Sequence, residues 1–223
     1  MGGSLFGQKK EETSIEVFIY AFEYAKGHQS VFLTENKNQV KEVKLSNANM
    51  LGPFKTTLDK NAIITLRTQA KDKEGVTIHP AICRAKMPPG IKQPLLILFP
   101  ASGRLAYRAI IVDRSIDNFP KGSYKIINVS PSDIRGLVGR TKIIAPSKKI
   151  TSFNPSGNRE DFLDVHFQYR RASDWKTFGR TRWVNEKEKR SLLCAYLDPK
   201  TKRMKIRGIP VKPLPARVKS KPN

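Results

Sequence analysis

The chain has 223 residues, with 42 Lys and Arg against 19 Asp and Glu and a formal net charge of +23. Its 39% hydrophobic and 9% aromatic content excludes a disordered chain, and its longest apolar run, Pro94–Pro100, falls far short of the roughly 20 residues that span a bilayer. The charge is lopsided: residues 1–60 net +1, residues 61–120 net +5 and residues 121–223 net +17, a field that favours anionic partners.

Period-two alternation of apolar and polar residues recurs along the chain and predicts strands. Residues 15–24 read as the first. Residues 31–33 and 40–45 follow across Glu35-Asn-Lys-Asn, then residues 62–67, 76–78 and the segment around Cys83, punctuated by Lys71-Asp-Lys-Glu-Gly75 and Pro88-Pro-Gly90. Residues 95–99 and 107–113 are two central strands, and residues 119–123 turn into another at 124–129. Pro131-Ser-Asp begins a helical turn, and Ile134-Arg-Gly-Leu-Val-Gly carries too much glycine for a lasting helix.

Short strands are expected at 143–144 and 150–153, then a loop from Asn154. Val165, Phe167 and Tyr169 share one strand face, with His166, Gln168 and Arg170 on the other. Residues 177–184 and 190–197 read as a pair joined by Asn185-Glu-Lys-Glu-Lys, and Asp198-Pro-Lys-Thr turns into a last strand at 203–208. About twelve to fourteen short strands predict an all-β, immunoglobulin-like sandwich with flexible ends at 1–13 and in the basic Pro-rich tail 210–223. With no visible repeat, one continuous sandwich over 14–209 is preferred; the charge contrast keeps two sub-modules open.

The candidate binding residues are cations of the last third: Arg170, Arg171, Lys176, Arg180, Arg182, Lys187, Lys189, Arg190, Lys200, Lys202, Arg203, Lys205 and Arg207. On neighbouring strands and turns they are expected to converge on one sheet face, holding phosphates, sulfates or carboxylates by charge and by bidentate guanidinium contacts. Tyr169, Trp175, Phe178 and Trp183 are interleaved with them, as on platforms that stack single-stranded bases. By strict alternation Phe178 shares a face with Arg180 and Arg182, and Trp183 takes the other. The competing reading is a solvated basic face with no dedicated ligand. Signatures of the RNP, KH and zinc-finger folds are missing, which sets nucleic acid below other anionic partners.

No hydrolase elbow, zinc-protease helix, phosphate loop or dinucleotide fingerprint is present, so no catalytic residue and no cofactor is expected. Glu160, Asp161 and Asp164 form an acid group that reads as a solvated loop. His28, His79 and His166 share no metal-ligand spacing, and no metal is expected. Cys83 and Cys194 each sit in an apolar run, as buried free thiols or as a disulfide formed in an oxidising compartment.

Tyr107-Arg-Ala-Ile-Ile-Val-Asp, Phe119-Pro-Lys-Gly-Ser-Tyr, Asn128-Val-Ser-Pro, Arg135-Gly-Leu-Val-Gly and the closing Leu197-Asp-Pro-Lys-Thr-Lys-Arg-Met-Lys-Ile-Arg-Gly-Ile-Pro occur in a recognisable order. In that order the chain resembles a loosely defined family of uncharacterised exported bacterial proteins with immunoglobulin-like sandwiches. The resemblance spans about residues 15–210 and rests on turn motifs rather than site residues. It implies an exported protein of the periplasm or the cell surface, its leader not part of this sequence. Some members look associated with type IV pilus-like appendages, which implies envelope or pilus proteins, including further copies of itself, as partners. The expectation is therefore a non-enzymatic envelope protein making protein–protein contacts, with a basic face for anionic polymers or surfaces; the alternative is a nucleic-acid-binding β module.

Overall fold

The computed structural model describes residues 13–36, 39–156 and 162–212. Among them are eighteen β-strands and no helix, so the all-β class read from the alternation is the class the chain builds. Among the described residues no helix is long and apolar enough to cross a membrane. The ends expected to be flexible lie outside the described residues, apart from Thr13 and residues 210–212. Instead of one continuous sandwich there are two compact units, one holding the described residues up to Asp113 with Lys212, the other Arg114–Val211.

In the first unit the strands are β1 (Thr13–Ala21), β2 (Ser30–Asn36), β3 (Gln39–Lys44), β4 (Leu51–Leu58), β5 (Ile63–Arg67), β6 (Ala70–Lys71), β7 (Thr77–Ile78), β8 (Ala81–Lys86), β9 (Pro94–Pro100) and β10 (Tyr107–Asp113). They form one sheet in the order β4-β1-β9-β10 and another in the order β3-β2-β5-β8, with β6 and β7 a small separate hairpin. Inward residues of both sheets, among them Val17, Ile19, Val31, Leu33, Ile64, Leu66, Leu96 and Leu98, interlock in one core. Both faces of β9 are buried, which is why residues 95–99 run apolar without alternation. Alternation passes over β4 because Gly52 and Pro53 interrupt it. As an edge strand paired only with β1, β4 tolerates a residue with no amide hydrogen.

The second unit contains β11 (Tyr124–Asn128), β12 (Ile134–Val138), β13 (Thr141–Ala145), β14 (Ile150–Phe153), β15 (Phe162–Arg171), β16 (Asp174–Val184), β17 (Ser191–Leu197) and β18 (Met204–Ile209). Its sheets run β14-β11-β17-β18 and β13-β12-β15-β16. With the small hairpin set aside as an insertion, both units read fourth-first-seventh-eighth in one sheet and third-second-fifth-sixth in the other. In both, the first and seventh strands are parallel and the remaining pairs antiparallel. Even the irregularity between fifth and sixth strands recurs, between Leu66 and Arg67 in one unit and between Phe167 and Gln168 in the other. A repeat invisible as residue identity is thus present as strand order. That order departs from immunoglobulin domains, where the first strand's sheet also holds the second and fifth.

Two further expectations change. Residues 177–184 do not pair with 190–197: β16 folds back on β15 through Ala172-Ser173, where Ala172 has a positive φ of 53°, and β17 joins the other sheet. Cys83 and Cys194 are free buried thiols, one in each unit, so the disulfide is not formed. Burial pushes the Cys83 thiol up to about 12, which leaves it protonated and inert near neutrality.

Candidate functional site

On the sheet β13-β12-β15-β16, residues Ile134, Val138, Ile143, Ala145, Leu163, Val165 and Phe167 point into the unit's core. Alternation therefore sends Arg135, Leu137, Lys142, Ile144, Asp164, His166, Gln168 and Arg170 to the opposite face. Antiparallel pairing lines them up in rows: Ile144, Arg135, Gln168 and Thr177 in one, Lys142, Leu137, His166 and Arg180 in the next, then Asp164 with Arg182. Gly136 makes the close packing beneath them feasible. A Cβ there would stand 2.6 Å from the Phe167 ring, so the glycine that argued against a lasting helix is what lets β12 lie over Phe167.

The bulge decides which aromatics reach this face. Because Phe167 pairs with Gly179 and Gln168 with Thr177, Phe178 is an extra residue on β16. It packs against the core with Tyr169 and Trp183 rather than joining Arg180 and Arg182. On the N-terminal side of the bulge parity is flipped, and Trp175, paired with Arg170, comes to the outer face. There the Arg135 guanidinium lies over its ring at 4.5 Å from the centroid. Arg135 Nε also donates to Gln168 Oε1 at 2.7 Å. These two contacts fix the side chain, and its terminal Nη groups donate no hydrogen bond to a described residue. Beside it His166 Nε2 and Thr177 Oγ1 are hydrogen-bonded at 2.9 Å.

Between these side chains lies a groove of about 400 Å³, lined by Arg135, Leu137, Lys142, Ile144, His166 and Gln168. Ile144 on its wall is 68% exposed. Among the described residues of these strands five cations share the face, Arg135, Lys142, Arg170, Arg180 and Arg182, against one carboxylate, Asp164, which accepts from Arg182 Nε at 3.1 Å. The face can hold several anionic groups, with one guanidinium already oriented for a bidentate contact.

The expected convergence is therefore partial. Arg170, Arg180 and Arg182 share the face; Arg171 sits at the hairpin end opposite Asp174, and Lys176 pairs with Tyr169, on the side of the bulge that turns toward the core. Lys187 and Lys189 lie on the connection between the sheets, where Lys189 is ion-paired with Glu186. Arg190 is half-buried and donates to the carbonyls of Arg114 at 2.6 Å and Phe119 at 3.1 Å, a structural role.

Lys200, Lys202 and Arg203 belong to the turn before β18. Lys205 is paired with Asp198, and Lys205 and Arg207 lie on the other sheet, opposite in parity to the core-packed Met204 and Ile206. Arg135 and Lys142 complete the face and were missed; the signal was alternation in Ile134-Arg-Gly-Leu-Val and Thr141-Lys-Ile-Ile-Ala, masked by glycine in the first and brevity in the second.

Glu160 and Asp161 lie outside the described residues, and Asp164 belongs to the cationic face. Among the described residues no three His, Cys, Asp or Glu side chains are grouped to hold a metal ion. The Asn128-Val-Ser-Pro motif is a buried knot: the Asn128 amide donates to the carbonyls of Ser132 and Ala145, and its oxygen accepts from Ser130 N and Oγ. The sequence matches no family model, and no curated protein matches it either.

Proposed function

We propose that this protein is a non-enzymatic binding protein of the cell envelope or surface whose second unit presents a cationic sheet face to anionic polymers. The binding part rests on one observation: five cations against one carboxylate on a single sheet face, with Arg135 held between Gln168 and Trp175. Fixing the guanidinium in advance lowers the ordering cost of engaging an anion. The envelope setting, and contacts with pilus-like proteins or further copies of the chain, rest on the resemblance of the turn motifs.

The test is a titration against a heparin-like glycan at low and near-physiological salt. Binding should weaken steeply with salt, and the triple variant Arg135→Ala/Arg180→Ala/Arg182→Ala should lose about tenfold or more. A second triple variant, Lys187→Ala/Lys200→Ala/Lys202→Ala, removes the same charge from the same unit but not from the face. Equal losses in the two variants would show that net charge alone governs binding, and the assigned face would be abandoned.

A further inference from the structure

Resting on that polyanion reading, we infer that the polymer is a single-stranded nucleic acid, with phosphates tracking β16 and bases crossing the sheet into the groove at Leu137 and Ile144. A ligand bound by charge alone has no use for apolar side chains. Yet Leu137 is 39% and Ile144 68% exposed, side by side with Arg135 and Lys142. Their position asks for a ligand that joins each anionic group to an apolar, ring-sized neighbour, as a nucleotide does.

The spacing agrees. Arg180 and Arg182 are two residues apart on one face of β16, about 6.8 Å along the strand, comparable with the step between successive phosphates of an extended single strand. From β16 across β15 to Leu137 on β12 is two inter-strand steps, about 9.6 Å, the reach of a base from its phosphate, and Ile144 on β13 stands one step of about 4.8 Å further, where the far edge of the base ends. Between the phosphate track and the groove, Gln168 and His166 on β15, each in hydrogen-bond contact with Thr177 Oγ1 on β16, offer donors and acceptors to base edges. The groove's volume of about 400 Å³ admits one base-sized group beside the fixed Arg135 guanidinium. An anionic glycan matches the charge, but its sugars carry hydroxyls where Leu137 and Ile144 offer none a partner. A duplex keeps its bases stacked inside and cannot present them to the groove.

The experiment compares a mixed-sequence single strand of about 12 nucleotides, an abasic strand of equal length, a duplex and a heparin-like glycan at near-physiological salt, each against the native protein and Ile144→Ala. The base-bearing single strand should bind best, about fivefold to a hundredfold tighter than the abasic strand. Ile144→Ala should weaken it several-fold while leaving the glycan unchanged. Because Ile144 is exposed, the variant should melt with the native protein, and that melt is the control.

Equal binding of abasic and base-bearing strands, a preference for glycan or duplex, or no effect of Ile144→Ala would each overturn the nucleic-acid assignment. In those cases the polyanion reading survives. Failure of every probe to bind even at low salt would overturn both.

Discussion

The two units share one topology, and their third-second-fifth-sixth sheets can be compared position by position through their pairings. Phe32 stands where the second unit has Arg135, Thr34 where it has Leu137, Val40 where it has Lys142 and Thr65 where it has His166. On the edge strand the cations match, Arg84 with Arg180 and Lys86 with Arg182. Charged side chains on an edge also discourage pairing with other chains, so this match by itself does not tell the two faces apart. The difference lies in the second and third strands. In the first unit Arg67 is turned to the His79 carbonyl at 3.0 Å, and Phe32 packs its ring 4.9 Å from that histidine. In the second, Arg135 lies across Gln168 onto Trp175. Topology supplies an outward sheet face twice, and Arg135 on β12 with Lys142 on β13 turns one of them into a groove.

The largest expected effect comes from removing that difference. Arg135→Ala/Lys142→Ala should weaken polyanion binding about tenfold or more, and the slope of log affinity against log salt should fall by about 0.7 for each phosphate of a single strand that is no longer neutralised. The matched pair Arg84→Ala/Lys86→Ala in the first unit should change affinity less than about twofold, as edge charges do when they serve solubility. If the first-unit pair proves equally costly, the cations act as a diffuse field and the comparison of the two faces loses its meaning.

A smaller effect concerns what holds the groove floor. Gly136→Ala places a Cβ 2.6 Å from the Phe167 ring, and overpacking of this kind costs about 1–3 kcal/mol. A Cβ on Gly179, which faces the same ring from β16, would stand 3.7 Å from it, an ordinary contact. Gly179→Ala should therefore leave thermal stability nearly unchanged. The equivalents of Gly136 and Phe167 in the first unit are Leu33 and Leu66, both fully buried, so two leucines there stand where the second unit pairs a glycine with a phenylalanine. Matching melting temperatures for the two alanine variants would mean that Phe167 moves aside freely and that the floor is soft.

The fold class was legible because alternation of Val, Ile, Phe and Leu with polar residues survives wherever one strand face is buried. The repeat was not, because a topology is stored in which strands pair, and the pairing of β16 with β15 rather than β17 depends on a tight turn at Ala172-Ser173 whose residues are not distinctive. The cations of the candidate face were half legible. Arg170, Arg180 and Arg182 stand in long, clearly alternating strands, whereas Arg135 and Lys142 stand in strands of five residues. Phe178 was misplaced for a separate reason. Counting by twos from Trp183 fails across a bulge, and one extra residue reverses every side chain beyond it.

The smallest expected effect separates the hairpins that close the seventh and eighth strands. Between β9 and β10 the loop 101–106 carries no acid and is closed by a backbone bond from Ala101 N to the Ala106 carbonyl at 2.9 Å. Between β17 and β18, Asp198 Oδ1 accepts from the amides of Lys200 at 2.8 Å and Thr201 at 3.2 Å, and Oδ2 accepts from Lys205 Nζ. The Lys205 ammonium first, and then those two amides, hold the carboxyl well below the usual carboxylate range. A carboxyl depressed in the folded state stabilises fully above its unfolded value of about 3.9, and that contribution is lost as the pH falls through the lower folded value. Asp198→Asn should therefore lower the urea midpoint at about pH 6, and the gap between variant and native protein should close as the pH is taken below about 3. The site is solvent-exposed, so the shift should be small and should shrink in high salt. A gap that stays constant down to low pH would assign the turn's stability to its backbone bonds alone, as in the acid-free hairpin of the first unit.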